Sequence, residues 1–297
     1  MFTVIRKIAL GWLLCLLFLP MAGAEPAPAI PRLILGVYLP SLSNEANLSD
    51  IKLTLEYWIV EISKQFQVMD AHAEFFEDIE QLRQAFMEKR LDMVIAPPLE
   101  FVRRFDRNQL ADGITGTVDT DGQSSLALLA RKDEIADFKA LKGKKLLLPE
   151  GDELAKLYIE TLSLRHAQIP SRVYFSSTAS KKKNDSLILD LFFKQVDAVV
   201  VYRNFFEVMA EMNPQIRKQI AIVETYPLKT RNFAFFRKDY EFAERIFPTL
   251  DKFEASPRGQ QILQMFRSDR IAKSYVTDLQ PIVDLYNEYL RLSHAKP

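Results

Sequence analysis

One short pattern occurs twice in this chain, 105 residues apart, and the duplication limits what the chain can fold into. The first copy is Met87-Glu-Lys-Arg-Leu-Asp92-Met-Val-Ile-Ala-Pro-Pro98, and the second is Phe192-Phe-Lys-Gln-Val-Asp197-Ala-Val-Val-Val-Tyr-Arg203. Apolar residues at helical spacing precede each copy: Ile79, Leu82 and Phe86 in one, Leu187, Leu189, Leu191 and Phe192 in the other. Each then turns through a polar pair, an apolar residue and an aspartate into a short apolar run, Met93–Ala96 or Ala198–Val201. A run that short and apolar on both faces reads as a strand buried in a parallel sheet. A helix feeding such a strand through a tight turn is half of a βαβ unit. Two copies so far apart predict an α/β chain with two lobes, each lobe a mostly parallel sheet flanked by helices. Ligands of open α/β sheets sit beyond the carboxyl ends of the strands. Pro97–Phe101 and Tyr202–Asn204 follow the two runs, so they open the list of candidate contacts.

Residues 1–24 carry the marks of a secretory signal. Arg6 and Lys7 lead into the apolar stretch Ile8–Leu19, and Ala22-Gly23-Ala24 ends it in an A-x-A site. Cleavage is expected after Ala24, and the apolar core is shorter than the roughly 20 residues a membrane span needs. Cys15, the single cysteine, lies inside that core. The mature chain is therefore expected to lack a disulfide, a thiol nucleophile and a thiolate metal site, leaving its stability to a hydrophobic core. Nineteen of the 21 phenylalanines follow Ala24 and supply one. Thirty-nine basic and 39 acidic side chains cancel over the whole sequence, without the basic excess of a nucleic-acid binder.

Further elements follow in order. After a flexible lead-in, Leu33–Leu39 and Gln67–Phe75 read as strands, with a helix over about Ser49–Phe66 between them. Gly113–Asp121 reads as irregular, and Ser124–Ala130 as a strand. A strand to Pro149 then leads into a helix through Leu154, Leu157, Tyr158 and Leu162. Arg172–Ser176 reads as a short strand, and Ser177–Asp185, with three consecutive lysines, as a solvated loop. Ile220–Thr225 and Asn232–Arg237 complete the strands, and the remainder reads as helical. Ser256-Pro257 is a helix start, with Ser as cap and Pro at the first helical position.

Catalytic and cofactor signatures are missing. His72, His166 and His294 show no metal spacing. There is no G-x-S-x-G elbow, P-loop or dinucleotide fingerprint. No cofactor, metal or catalytic residue is nominated, and a binding protein is expected rather than an enzyme.

Five segments in order give a resemblance over nearly all of 31–292. They are Leu91-Asp92-Met-Val-Ile with Pro98 and Phe101; Leu141-Lys-Gly-Lys-Lys145; Val196-Asp197-Ala-Val-Val; Ser256-Pro-Arg-Gly-Gln-Gln-Ile-Leu; and Tyr275 followed by Pro281-Ile-Val-Asp-Leu-Tyr286. Together they resemble the type II periplasmic solute-binding proteins, particularly the phosphate/phosphite/phosphonate-binding (PhnD-like) components of ABC transporters. The resemblance implies a first lobe of residues 25–122 plus 232–297 and a second of 123–231. Crossings between them fall near 119–124 and 230–233. It implies ligand contacts at Tyr38, Ser41, Pro97, Pro98, Phe101 and Arg104 in the first lobe. In the second they are Ser124, Ser125, Gly151, Asp152, Ser176, Ser177, Thr178, Tyr202 and Arg203. It also implies a small polar ligand, capture for an ABC importer permease, a periplasmic location and a monomer. A sensor reporting to a membrane kinase or cyclase uses the same lobes, and a hydrolase on this scaffold is the third reading.

One segment departs from that family. Phosphonate-holding members use a small hydroxyl-rich loop at the amino end of the second lobe's first helix, where N–H groups and the helix dipole hold the anion. Pro149-Glu150-Gly151-Asp152-Glu153 stands there instead. Asp152 is placed to cap the helix itself. Phosphate and simple phosphonates are therefore expected to bind weakly, and a ligand with a cationic or neutral polar group near Asp152 is favoured.

Overall fold

The computed structural model describes residues 29–40, 48–65, 67–117, 124–135, 137–228, 232–265 and 268–294. The expected signal segment, Ser41 and most of both expected crossings lie outside these residues. In the first lobe the chain runs β1 (Ile30–Val37), α1 (Leu48–Gln65), β2 (Val68–Phe75), α2 (Ile79–Met87), β3 (Met93–Ala96), α3 (Pro98–Arg104) and β4 (Leu110–Thr117). The second holds β5 (Ser124–Arg131), β6 (Lys145–Pro149), α4 (Glu153–Ala167), β7 (Ser177–Lys181), α5 (Asn184–Phe192), β8 (Ala198–Tyr202), α6 (Arg203–Met212), α7 (Pro214–Gln219) and β9 (Ile220–Leu228). The chain then returns through β10 (Phe233–Arg237), α8 (Leu250–Ala255), α9 (Pro257–Met265), β11 (Arg270–Ser274) and α10 (Gln280–His294).

The strands form two sheets, ordered β11-β4-β10-β3-β1-β2 and β7-β6-β8-β5-β9. Strands joined through helices, β2-β1-β3 and β7-β6-β8, pair in parallel. β10 and β5, which enter from the other lobe, run antiparallel to β3 and β8. Both sheets are therefore mixed rather than mostly parallel, because a strand arriving without a crossover helix is free to reverse.

The duplicated pattern is one structural device built twice. Each helix ends on a lysine in the left-handed region, Lys89 at φ 61° and Lys194 at φ 62°. Each lysine N–H, and the N–H after it, bonds back into the last turn: to Phe86 and Ala85, and to Leu191 and Asp190. This is a Schellman-type stop filled by lysine where glycine is usual. Three residues on, the aspartate clasps a backbone N–H of the neighbouring parallel strand, in mid-strand for β1 and at the first residue for β6. Asp92 accepts the Ile34 N–H at 3.0 Å, and Asp197 accepts the Lys145 N–H at 2.8 Å. An arginine at the end of the antiparallel strand closes each unit: Arg237 reaches Asp92 and the Leu91 carbonyl, and Arg131 reaches Asp197 and the Val196 carbonyl. The device stands at the amino ends of the parallel strands, away from the cleft.

A left-handed lysine costs about 1–2 kcal/mol, part of which returns as unfolded-chain entropy when glycine replaces it. Lys194→Gly is expected to stabilise by roughly 0.5 kcal/mol, since Lys194 makes only loose contacts of 3.8 and 4.0 Å to Glu134 and Asp133. A urea midpoint that rises with unchanged slope checks this. Lys89→Gly is expected to gain less, because Lys89 also holds Asp239 at 2.7 Å.

Several elements differ from the sequence reading. Residues 113–117 of the stretch read as irregular, Gly113–Asp121, belong to β4, and Gly113 serves close packing: a Cβ there would stand 1.8 Å from the Ala234 carbonyl oxygen. The carboxyl-terminal third contains a further strand, β11, paired with β4. Ser256 caps α9 as expected, its Oγ accepting the Gly259 N–H at 2.9 Å. Arg172–Ser176 is not a strand; Ser171–Tyr174 forms a helical turn, with Glu160 accepting both the N–H and the hydroxyl of Ser171. The strand instead occupies Ser177–Lys181, in the supposed loop. The carboxyl-terminal helix α10, assigned with the first lobe, lays Ile282 and Leu285 into the core of the second.

Candidate ligand cleft

Parallel register brings several expected residues to one end of each sheet. Val37, Phe75 and Ile95 are level at the carboxyl ends of β1, β2 and β3. Tyr38 follows β1, its N–H on the Ile95 carbonyl at 2.9 Å, with a half-buried ring. In the second lobe Gly151 and Asp152 follow β6, and Tyr202 ends β8 beside Leu126 of β5. Ser124 and Ser125 open β5 and so reach the same end, Ser125 being buried.

Asp152 is fully engaged. It precedes α4 with extended backbone, and its Oδ1 accepts the Ala155 N–H at 2.9 Å. Its Oδ2 accepts the Tyr202 hydroxyl at 2.8 Å. Gly151 sits at φ 73°, where a side chain is strained, so the loop turns tightly and aims Asp152 at the helix. The protein's own carboxylate occupies the terminus that an anion would use.

Other expected contacts are placed elsewhere. Phe101 is wholly buried against Phe105 and Phe235, ring centroids 5.2 and 4.9 Å away, and belongs to the first lobe's core. Pro98 is buried as well, while Pro97 is partly open before the helix. Ser177 and Thr178 pair in parallel with Lys145 and Leu146, the amino end of β6. With Ser176 they stand three or more residues, roughly 10 Å or more, from the level of Pro149. The helical turn at Ser171–Tyr174 moved the strand five residues along, and Lys181 now ends it. Arg203 is exposed and pairs with Glu207 at 3.1 Å. Arg104 bridges Glu80 at 3.1 Å and Glu100 at 3.8 Å.

Glu100 is a cleft residue that lies within the Pro97–Phe101 stretch but is not singled out among the expected contacts. Pro98 starts α3 and turns Leu99 and Phe101 inward, leaving Glu100 with its side chain only 12% exposed. Burial pushes its carboxyl up, against the pull of Arg103 and Arg104 and with the push of Glu153 and Glu80. The Tyr38 phenol is raised by burial, and next by Glu100, Asp78 and Glu153. Glu153 lies in the first turn of α4, so the field between Tyr38, Glu100 and Glu153 spans the two lobes. No local periodicity marks Glu100: at helical spacing 99 and 101 fall on different faces, Leu99 entering the second lobe's core and Phe101 the first's, and the packing around them buries Glu100.

The raised Glu100 pKa sets a pH dependence. The folded state binds a proton more tightly than the unfolded chain, so stability falls as pH rises from about 4.5 through the raised value. Glu100→Gln is expected to raise Tm at neutral pH and leave it unchanged below that window. Thermal melts from pH 3.5 to 7.5 check it; an equal shift at every pH contradicts it.

Residues 48–278 match the family described as ABC transporter, phosphonate, periplasmic substrate-binding protein. Among solved structures, a binding-protein component of an ABC phosphonate transporter from Pseudomonas aeruginosa aligns with TM-score 0.59 at 16% identity, covering 89% of this chain and 88% of that one. XAC2383 from Xanthomonas citri, bound to ATP, aligns with TM-score 0.62 at 14% identity, over 89% of this chain and 99% of that one. PhnD1 from Prochlorococcus marinus, in complex with methylphosphonate, gives 0.56 at 17% identity, over 88% and 98%. At such identities the structural likeness is one of fold. No curated protein sequence matches the chain. The family match spans both lobes and the cleft between them: the chain belongs to the periplasmic substrate-binding proteins of ABC phosphonate transporters.

Proposed function

We propose that this protein captures a small molecule bearing an amino or other hydrogen-bond-donor group and passes it to an ABC importer permease. Simple phosphonates are disfavoured. The observation that carries the ligand class is the closed Asp152 unit, whose two oxygens already accept the α4 N–H and the Tyr202 hydroxyl. Acceptors are what the same end of the second lobe has to spare. Asn184 opens α5, Asn204 lies in the first turn of α6, and the buried Oδ1 of each has no hydrogen-bond partner among the described residues. A buried acceptor without a donor costs about 1–3 kcal/mol, and a donor-bearing ligand would offset it if lobe movement uncovers either amide. Glu100 and Glu153 add negative field across the cleft.

A thermal-shift panel tests the proposal, pairing aminoalkylphosphonates and other amines with their N-acetylated forms. Stabilisation by an amine that disappears on acetylation supports it. Equal stabilisation by methylphosphonate and inorganic phosphate sinks it. The same reading takes the mature protein to be a monomer beginning at Glu25, which intact-mass measurement and light scattering on a periplasmic extract check.

A further inference from the structure

We infer that a third chain crossing, at Gln280, acts as a taut strap between the lobes and sets how far the cleft opens. On one side of Gln280 the chain is fixed to the first lobe. Leu279 is fully buried among Phe101, Leu110, Phe233 and Phe235. The Val276 N–H, at the start of that turn, donates to Asp112 of β4 at 3.2 Å. On the other side the chain is fixed to the second lobe. The Tyr226 hydroxyl of β9 donates to the Pro281 carbonyl. Ile282 and Leu285 are buried in the second lobe's core. Arg165 of α4 forms a fork on Glu288, with both N–O distances 2.8 Å.

Only one residue separates the two anchors, and one residue spans at most about 3.6 Å. Gln280 is itself helical, at φ −55° and ψ −43°, so the turn at Val276–Leu279 runs straight into α10 and no loop lies between the anchors to give slack. The first lobe also leans on it: Leu99 of α3 is buried in the second lobe's core, and the Arg103 guanidinium lies 5.3 Å from the Tyr286 ring centroid. Opening must pivot about Leu279–Pro281, with α10 carried along by the second lobe. α10 packs along α4, the helix that begins at the Asp152 cap, so the strap holds the element forming one wall of the cleft.

Lengthening the strap tests this without removing any side chain. Two glycines are inserted after Gln280 in mature protein carrying Glu77→Cys and Ser180→Cys, exposed sites on the two lobes, for spin labelling. The only natural cysteine, Cys15, lies in the signal segment. Double electron–electron resonance is expected to show a narrow distance distribution in the parent. The insertion should broaden it and extend it by up to about 7 Å, the reach of two residues. Arg165→Met, which releases one anchor at unchanged strap length, should broaden it less and serves if the insertion fails to fold. Distributions identical to the parent in a folded variant overturn the inference. No ligand is added, so the outcome is independent of the proposed ligand class.

Discussion

Replacing Asp152 by serine is expected to strengthen methylphosphonate binding by two to three powers of ten. A full charge about 4 Å from a bound anion costs on the order of 4 kcal/mol at an effective dielectric near 20, which is almost three decades in affinity. Serine caps a helix about as well as aspartate, so the helix should survive the change. It also leaves N–H groups of the α4 terminus facing the cleft, with the dipole favouring an anion. Tyr202→Phe is the control. It removes the hydroxyl that holds Asp152 Oδ2 but leaves the carboxylate on Ala155, so it should gain little affinity for the anion. Titration calorimetry separates the two variants; equal gains for both would mean that the Asp152 charge is not what excludes the phosphonate.

The largest loss of stability is expected from Asp92→Ala. Asp92 is 1% exposed and accepts two bonds from Arg32, at 3.0 and 3.1 Å, the Ile34 N–H, and a longer contact of 3.4 Å from Arg237. Removing one partner of a buried ion pair costs about 3–5 kcal/mol, because the other charge is left uncompensated. Here the buried Ile34 N–H loses its acceptor as well, although the 45% exposure of Arg32 lets water soften the loss on that side. Tm should fall by roughly 10 °C at the usual conversion for a chain of this size. Asp197→Ala, where the carboxylate is 23% exposed, should cost less. A denaturant series on both variants checks the order; an Asp197 loss exceeding the Asp92 loss contradicts the burial argument.

The duplicated pattern was readable because its parts are consecutive: the helix stop, the aspartate and the buried run follow one another. Its third member was hidden. Arg237 follows Asp92 by 145 residues, whereas Arg131 precedes Asp197 by 66. The two crossings place the antiparallel strands on opposite sides of their aspartates in sequence, so no repeat search aligns them. Asp152 was legible because capping is local chemistry. Ser176–Thr178 were misplaced because a helical turn and a short strand have similar composition, and the register of an exposed edge strand is weakly specified. Glu100 and the anchoring of α10 depend on packing between lobes, which no local pattern records.

The proposed exclusion of simple phosphonates from this cleft is the central claim, and one titration tests it. Mature wild-type protein is titrated calorimetrically with methylphosphonate at low salt, with the Asp152→Ser variant alongside. The expected result is no binding, or Kd above about 1 mM, for the wild type, and a Kd at least about one hundredfold lower for the variant. Micromolar binding by the wild type would contradict the account, because the Asp152 carboxylate would then not be standing where the anion binds.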